Sequence, residues 1–153
     1  MLKNANHALF ANMMLGDLKN ERKHLLFYLT AAATVSGPHR EEFKELFWEE
    51  AQGEMKHVLE FQNALLGLGV DLKEAEETVT NYPYIVSYDL KELMEFALAM
   101  EEEVVTNYSR RLSENLGLLD EPDRRYFEIF YEEQLKKSRE DVDNYRMILK
   151  NFK

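Results

Sequence analysis

The sequence predicts an all-α fold, a bundle of four long helices. Apolar side chains recur at spacings of three and four residues through four long segments, which is the period of a helix with one buried face. Short breaks separate the first segment from the second and the third from the fourth, whereas residues 69–88 separate the second from the third. We predict one domain over residues 1–153, made of two helix pairs.

The helix boundaries follow from local stop and start signals. Ser36-Gly37-Pro38 ends the first helix, and Pro38 suits the first position of the second. Asp89 and Glu92 have the form of a capping box that opens the third helix, and Pro122 lies just inside the fourth. The predicted helices cover about residues 5–35, 38–68, 89–117 and 121–151.

The lengths of the connections predict the topology. Connections of a few residues make the first and second helices antiparallel, and likewise the third and fourth. The connection over residues 69–88 reaches roughly 66 Å when it is extended, whereas a helix of about 28 residues is only about 42 Å long. We therefore predict an up-down-down-up bundle with one long crossover.

The composition excludes several classes of function. The chain has 29 acidic and 19 basic residues and a net charge of −10, which disfavours a nucleic acid or an anionic membrane as partner. No stretch has the length of apolar sequence that a membrane span needs, and Lys3 and Asn4 do not begin a secretion signal. We expect a cytoplasmic protein. The absence of cysteine excludes disulfides and thiolate metal sites.

The strongest chemical signal is Glu54-Met55-Lys56-His57 in the second helix. Glu54 and His57 are three residues apart, so they lie on one helical face, and they fall within the apolar stripe. A buried carboxylate beside a buried imidazole is costly unless a partner stabilises both. The motif therefore predicts a metal site.

An internal repeat extends this prediction to the other helices. With an offset of 80 residues, Glu21 and Tyr28 of the first helix correspond to Glu101 and Tyr108 of the third. Both glutamates interrupt an apolar stripe, and each has a tyrosine two turns later on the same face. The repeat predicts that the two glutamates are ligands as well.

Two registers compete on the fourth helix. The local sequence aligns Glu133 and Lys136 with the Glu-x-x-His pair, whereas a repeat offset of 84 residues aligns Ser138 and Asp141 with it. The helical phase places Glu133 well away from the centre of the apolar stripe. We favour the second register, with Asp141 as the ligand.

These residues resemble those of the ferritin-like superfamily, and the pattern is most similar to bacterioferritins and rubrerythrins. That family places one Glu on helices one and three and Glu-x-x-His on helices two and four, and Glu21, Glu54, His57 and Glu101 match. The resemblance implies a di-iron carboxylate centre in which Glu54 bridges and Asp141 is a terminal ligand. Two irons per chain are expected, and the incomplete motif on helix four puts the second position in doubt.

The resemblance implies an oxidoreductase of the ferroxidase or peroxidase type, which oxidises Fe(II) with O2 or peroxide. Iron is the expected metal and manganese the alternative, and further copies of the chain are the expected protein partners. Tyr28 and Tyr108 are predicted to point toward the site, where either could hydrogen-bond a ligand or relay an electron. Two alternatives stay open. One is a di-iron oxygenase, for which Ala31–Ala33 would leave room for a small organic substrate; the other is a metal-poor structural or interaction module.

Four further residues could bear on metal or haem binding. Met55 corresponds to the haem-ligating methionine of bacterioferritins, but one residue does not support haem, so haem is not expected. His24, one turn after Glu21, could supply an additional imidazole, although we favour a histidine at a helix or subunit contact. His7 and His39 are expected to be ordinary terminal and loop residues.

Overall fold

The computed structural model describes residues 2–73 and 88–152, in which four α-helices and no β-strand are present. The helices form two compact units, one within residues 1–88 and the other within residues 89–153. The predicted all-α fold class is confirmed, and none of the described helices is long and apolar enough to cross a membrane. The helices are α1 (Ala5–Thr34), α2 (Arg40–Leu68), α3 (Leu90–Arg110) and α4 (Asp123–Leu149).

Three helix ends are fixed by the signals that their sequence predicts or permits. The side chain of Asn4 caps α1 by accepting a hydrogen bond of 3.0 Å from the backbone N–H of His7. Asp89 caps α3 by accepting one of 3.3 Å from the N–H of Glu92, as the capping-box pattern predicts. Gly69 follows α2 with a φ of 97°, a left-handed conformation that favours glycine.

The two prolines lie outside the helices, so both predicted helix starts are wrong by about two residues. The carbonyl of His39 accepts the first helical hydrogen bond of α2, and Pro38 therefore precedes the helix. Pro122 likewise provides a carbonyl to the first turn of α4 but stands immediately before it. A proline disfavours helical geometry in the residue before it, which keeps the preceding turn non-helical.

The third helix does not continue as an α-helix to residue 117. Its α-helical part ends at Arg110, Arg111–Asn115 form a π-helical turn, and Leu116–Leu118 form a 3-10 turn. The repeat offsets of 80 and 84 residues differ by four, and the four additional residues fall in this segment. The longer segment before α4 is thus accommodated by a change in helical hydrogen bonding.

In the first unit, α1 and α2 pack in antiparallel order. The ring of Tyr28 lies 6.3 Å from that of Phe47, and Glu21 contacts His57. A step toward the N-terminus of α1 is therefore a step toward the C-terminus of α2. This order confirms the predicted antiparallel pair.

The second unit repeats the aromatic contact of the first. The rings of Tyr108 on α3 and Tyr131 on α4 lie 5.3 Å apart in edge-to-face geometry. These residues correspond in the repeat to Tyr28 and Phe47, whose rings make the equivalent contact in the first unit. The internal repeat is thus a repeat of packing as well as of sequence.

The connection from α2 to α3 joins opposite ends of the first helix pair. Gly69 lies at the C-terminal end of α2, far from the turn between α1 and α2. In that turn, Ser36 donates two hydrogen bonds to the carbonyl of Tyr88, one of 3.0 Å from its backbone N–H and one of 3.1 Å from its Oγ. The predicted long crossover is confirmed by these two ends, and residues 74–87 lie outside the described part of the chain.

Candidate metal centre

Glu21, Glu54 and His57 meet in the interior of the first unit, and we call them the α1–α2 cluster. The two glutamates are 2% and 3% exposed, and the side chain of His57 is 13% exposed. The Nδ1 atom of His57 lies 3.5 Å from Oε2 of Glu21 and 3.5 Å from Oε2 of Glu54. One ligand atom from each residue lies within 4.8 Å of the other two.

The donor set of the α1–α2 cluster fits a divalent metal ion. Two atoms that each lie about 2.1 Å from one metal are separated by roughly 3 to 3.5 Å at ordinary coordination angles. The two distances of 3.5 Å from the imidazole to the carboxylates agree with this spacing. Two carboxylates and one imidazole suit iron or manganese better than copper.

The protonation of the cluster favours a cation. Burial raises the pKa of Glu21, but its hydrogen bonds with Glu54 and His57 and the nearby imidazoles of His57 and His24 outweigh burial and lower that pKa from 4.5 to about 2. A hydrogen bond between two carboxyl groups requires that one of them holds a proton. A metal ion bound between the glutamates would displace this shared proton.

The first helix carries more buried polar residues than the sequence analysis found. His7 is 1% exposed, so the expectation of an ordinary terminal histidine is wrong; Asp17, also 1% exposed, was missed. His24 is buried as well, at 8% exposure, and lies near enough to affect the pKa of Glu21. Alternating spacings of three and four residues place all of them on one buried stripe with Phe10, Met14, Tyr28 and Ala31.

In the second unit, the inward positions agree with the repeat register. Glu101 is 1% exposed and Asp141 is 5% exposed, and Ser138 is also buried. Glu133 and Lys136 are not buried. The face of α4 that carries Asp141 is therefore the buried one, whereas Glu133 faces solvent.

Asp141 has a cationic neighbour that the sequence analysis missed. The Nζ atom of Lys137 lies 2.8 Å from Oδ1 of Asp141 and donates a hydrogen bond to it. The side chain of Lys137 is 42% exposed and reaches this carboxylate from one turn earlier on α4. The four-residue spacing of a lysine and an aspartate was the available signal.

Comparison with known families decides the classification of the chain. The ferritin-like domain family matches residues 14–153, which is most of the chain. The chain belongs to the ferritin-like domain family. None of the curated proteins matches this ferritin-like domain significantly.

Two solved structures share the fold of this ferritin-like domain. One is a ferritin-like, diiron-carboxylate protein from Bacillus anthracis, with a TM-score of 0.75, 22% identity, and coverage of 95% of this chain and 99% of that chain. The other is a dodecameric thioferritin, the bacterioferritin-related protein from Bacteroides fragilis, with a TM-score of 0.61, 18% identity, and coverage of 96% of this chain and 92% of that chain.

The remaining candidate residues of the ferritin-like domain differ in burial. Tyr28 and Tyr108 are both buried, at 0% and 2% exposure, as an inward role requires. Within Ala31–Ala33, the first two residues are buried but Ala33 is exposed, so the run does not line the interior as a whole. Met55 is 46% exposed.

Proposed function

We propose that this ferritin-like domain binds Fe(II) at the α1–α2 cluster and oxidises it with O2 or peroxide. The observation that carries the proposal is the buried convergence of Glu21, Glu54 and His57, with ligand atoms within 4.8 Å of one another. The protein from Bacillus anthracis with the same fold is described as a diiron-carboxylate protein, which supports iron as the metal.

The charges of the cluster favour oxidation of the bound ion. Two carboxylates neutralise Fe(II), and in a buried site they stabilise the additional positive charge of Fe(III) more strongly than water does. Two Fe(II) ions supply the two electrons that, with two protons, convert O2 to H2O2. The α1–α2 cluster itself releases a proton when the hydrogen bond between Glu21 and Glu54 is replaced by the metal.

A second position is proposed on the other helix pair, with Glu101 and Asp141 as ligands. Both side chains are buried, and they correspond in the repeat to Glu21 and His57. The buried hydroxyl groups of Tyr28 and Tyr108 are proposed to hydrogen-bond a ligand or relay an electron. Tyr28→Phe should then leave Fe(II) binding unchanged and slow Fe(II) oxidation, measured by stopped-flow absorbance.

The ferritin-like domain is also proposed to form a homo-oligomer. The outer face of α2 carries a row of exposed apolar side chains at helical spacing, which would be covered between subunits. The protein from Bacteroides fragilis is described as dodecameric. Light scattering of wild type and Leu59→Glu tests this, since a charge within the row should reduce the assembled mass. The row consists of Trp48, Met55, Leu59 and Leu66.

The deciding experiment is an anaerobic Fe(II) titration of metal-free protein followed by a pulse of O2. Wild type should bind Fe(II) and then develop the ultraviolet absorption of ferric oxo species. The double variant Glu21→Gln, Glu54→Gln should lose both, whereas Glu49→Gln, with the same chemical change at an exposed site on α2, should retain both.

Two further variants test the ligands on α4. Oxidation that is slowed in Asp141→Ala and unchanged in Glu133→Ala would support the repeat register. The reverse result would assign the ligand to Glu133. Wild-type protein that binds no Fe(II), or binds it without oxidation, would contradict the ferroxidase proposal and favour a structural module.

A further inference from the structure

Lys137 distinguishes the two halves of the internal repeat. Its ammonium donates a hydrogen bond of 2.8 Å to the buried carboxylate of Asp141. The corresponding position in the first half is Gly53, which places no cation beside the α1–α2 cluster. An ideal Cβ at Gly53 would have no atom within 4 Å, so close packing does not explain the absence of a side chain there.

The ion pair offsets the charge that a metal ion would otherwise bind. Asp141 already accepts a charge-assisted hydrogen bond, which is stronger than one between neutral groups. A divalent cation at Asp141 would have to displace the ammonium of Lys137 or remain close to it, and like charges repel. The carboxylate is therefore a much weaker ligand than its burial alone suggests.

The second half also lacks imidazoles that could compensate. All four histidines of the chain, His7, His24, His39 and His57, lie in the first half. With Asp141 bound to Lys137, the proposed second position retains Glu101 as its other carboxylate. A single carboxylate without an imidazole does not provide a tight metal site.

We infer that Lys137 closes the second metal position by neutralising Asp141, so that the chain holds one tightly bound metal ion, at the α1–α2 cluster. The inference rests on the proposed function, because it assumes that this cluster binds metal. Lys137 takes the place of a second metal ion in balancing the buried carboxylate. It thereby determines how many metal ions the chain holds.

Mn(II) binding tests the inference without depending on oxidation. Metal-free protein is titrated with Mn(II), and the free ion is counted by electron paramagnetic resonance. Wild type should bind one Mn(II) per chain, and Lys137→Gln should bind a second one about tenfold to 100-fold more tightly than wild type does. Lys137→Arg, which retains the charge, should bind one.

Two controls separate the ion pair from general effects. Lys136→Gln removes the same charge at the neighbouring position, away from Asp141, and should bind one Mn(II). The double variant Lys137→Gln, Asp141→Ala should return to one, because the freed carboxylate is then absent. Since Lys137 is 42% exposed, its replacement leaves the core intact, and circular dichroism checks the fold of each variant.

The outcomes separate the two proposals. Two tightly bound Mn(II) ions in wild type, or one in both wild type and Lys137→Gln, would overturn the inference about Lys137 while leaving the α1–α2 cluster as a metal site. No Mn(II) bound by wild type would instead overturn the proposed function. A second ion in Lys136→Gln would show that net charge, rather than Lys137, sets the stoichiometry.

Discussion

The Nδ1 atom of His57 on α2 lies 3.5 Å from Oε2 of Glu21 on α1, so a buried polar contact links the two helices of the first unit. The same nitrogen lies 3.5 Å from Oε2 of Glu54. One imidazole thus faces two carboxylates, an arrangement whose stability depends on protons or on a metal ion.

Replacement of a single carboxylate should weaken metal binding without unfolding the protein. Glu21→Gln keeps the shape of the side chain but removes one anionic ligand, so Mn(II) affinity should fall by about 100-fold or more. Isothermal titration calorimetry measures this loss, and Glu49→Gln on the exposed face should bind as wild type does. An unchanged affinity in Glu21→Gln would remove this residue from the site.

The metal-free protein should lose stability in acid through Glu21. The pKa of Glu21 is lowered from 4.5 to about 2, so between these pH values the unfolded state binds more protons than the folded state. Stability from this residue is complete above pH 4.5 and is lost as the pH falls toward 2, by at most about 3 kcal/mol. Urea unfolding from pH 6 to pH 3 should therefore show a shallower decline for Glu21→Gln, and identical slopes would contradict the prediction.

The aromatic contact of the second unit should contribute strongly to stability. Tyr131 is fully buried against Tyr108, so Tyr131→Ala should destabilise the protein by about 3 to 5 kcal/mol. Tyr126, on the same helix but 54% exposed, is the matched control, and its replacement by alanine should cost less than about 1 kcal/mol. Equal losses in chemical denaturation would show that burial at Tyr131 does not determine the effect.

Two glycines should respond in opposite directions to alanine. Gly53 lies within α2 with open space where a Cβ would lie, so Gly53→Ala should stabilise the helix by about 0.5 to 1 kcal/mol. Gly69 has a φ of 97°, so Gly69→Ala should be destabilising. Thermal unfolding of both variants tests the pair, and Mn(II) binding by Gly53→Ala should equal that of wild type.

The sequence was sufficient for the fold because helical period and breaks are local signals. It placed Asp89 correctly as a cap and Asp141 on the buried face of α4. It failed at Pro38 and Pro122, where a proline next to a helix start leaves the first residue ambiguous. The end of α3 was missed because apolar spacing does not distinguish α-helical from π-helical hydrogen bonds.

The candidate site was predictable only in part. The Glu-x-x-His motif located Glu54 and His57, whose contact with each other needs no tertiary information. The burial of His7 and Asp17 was missed because polar residues were judged by type, although both follow the spacing of the apolar stripe. The pairing of Lys137 with Asp141 depends on a side-chain rotamer, which sequence spacing permits but does not require.

The two hydrogen bonds from Ser36 to the carbonyl of Tyr88 assign the end of the crossover to the first helix pair. The boundary between the two units therefore lies at the peptide bond between Tyr88 and Asp89, immediately before α3. A gene divided at this bond would encode two fragments, each with one intact helix pair and its own copy of the repeat. The chain thus offers a natural cut point for a split protein whose reassembly could be followed by metal binding.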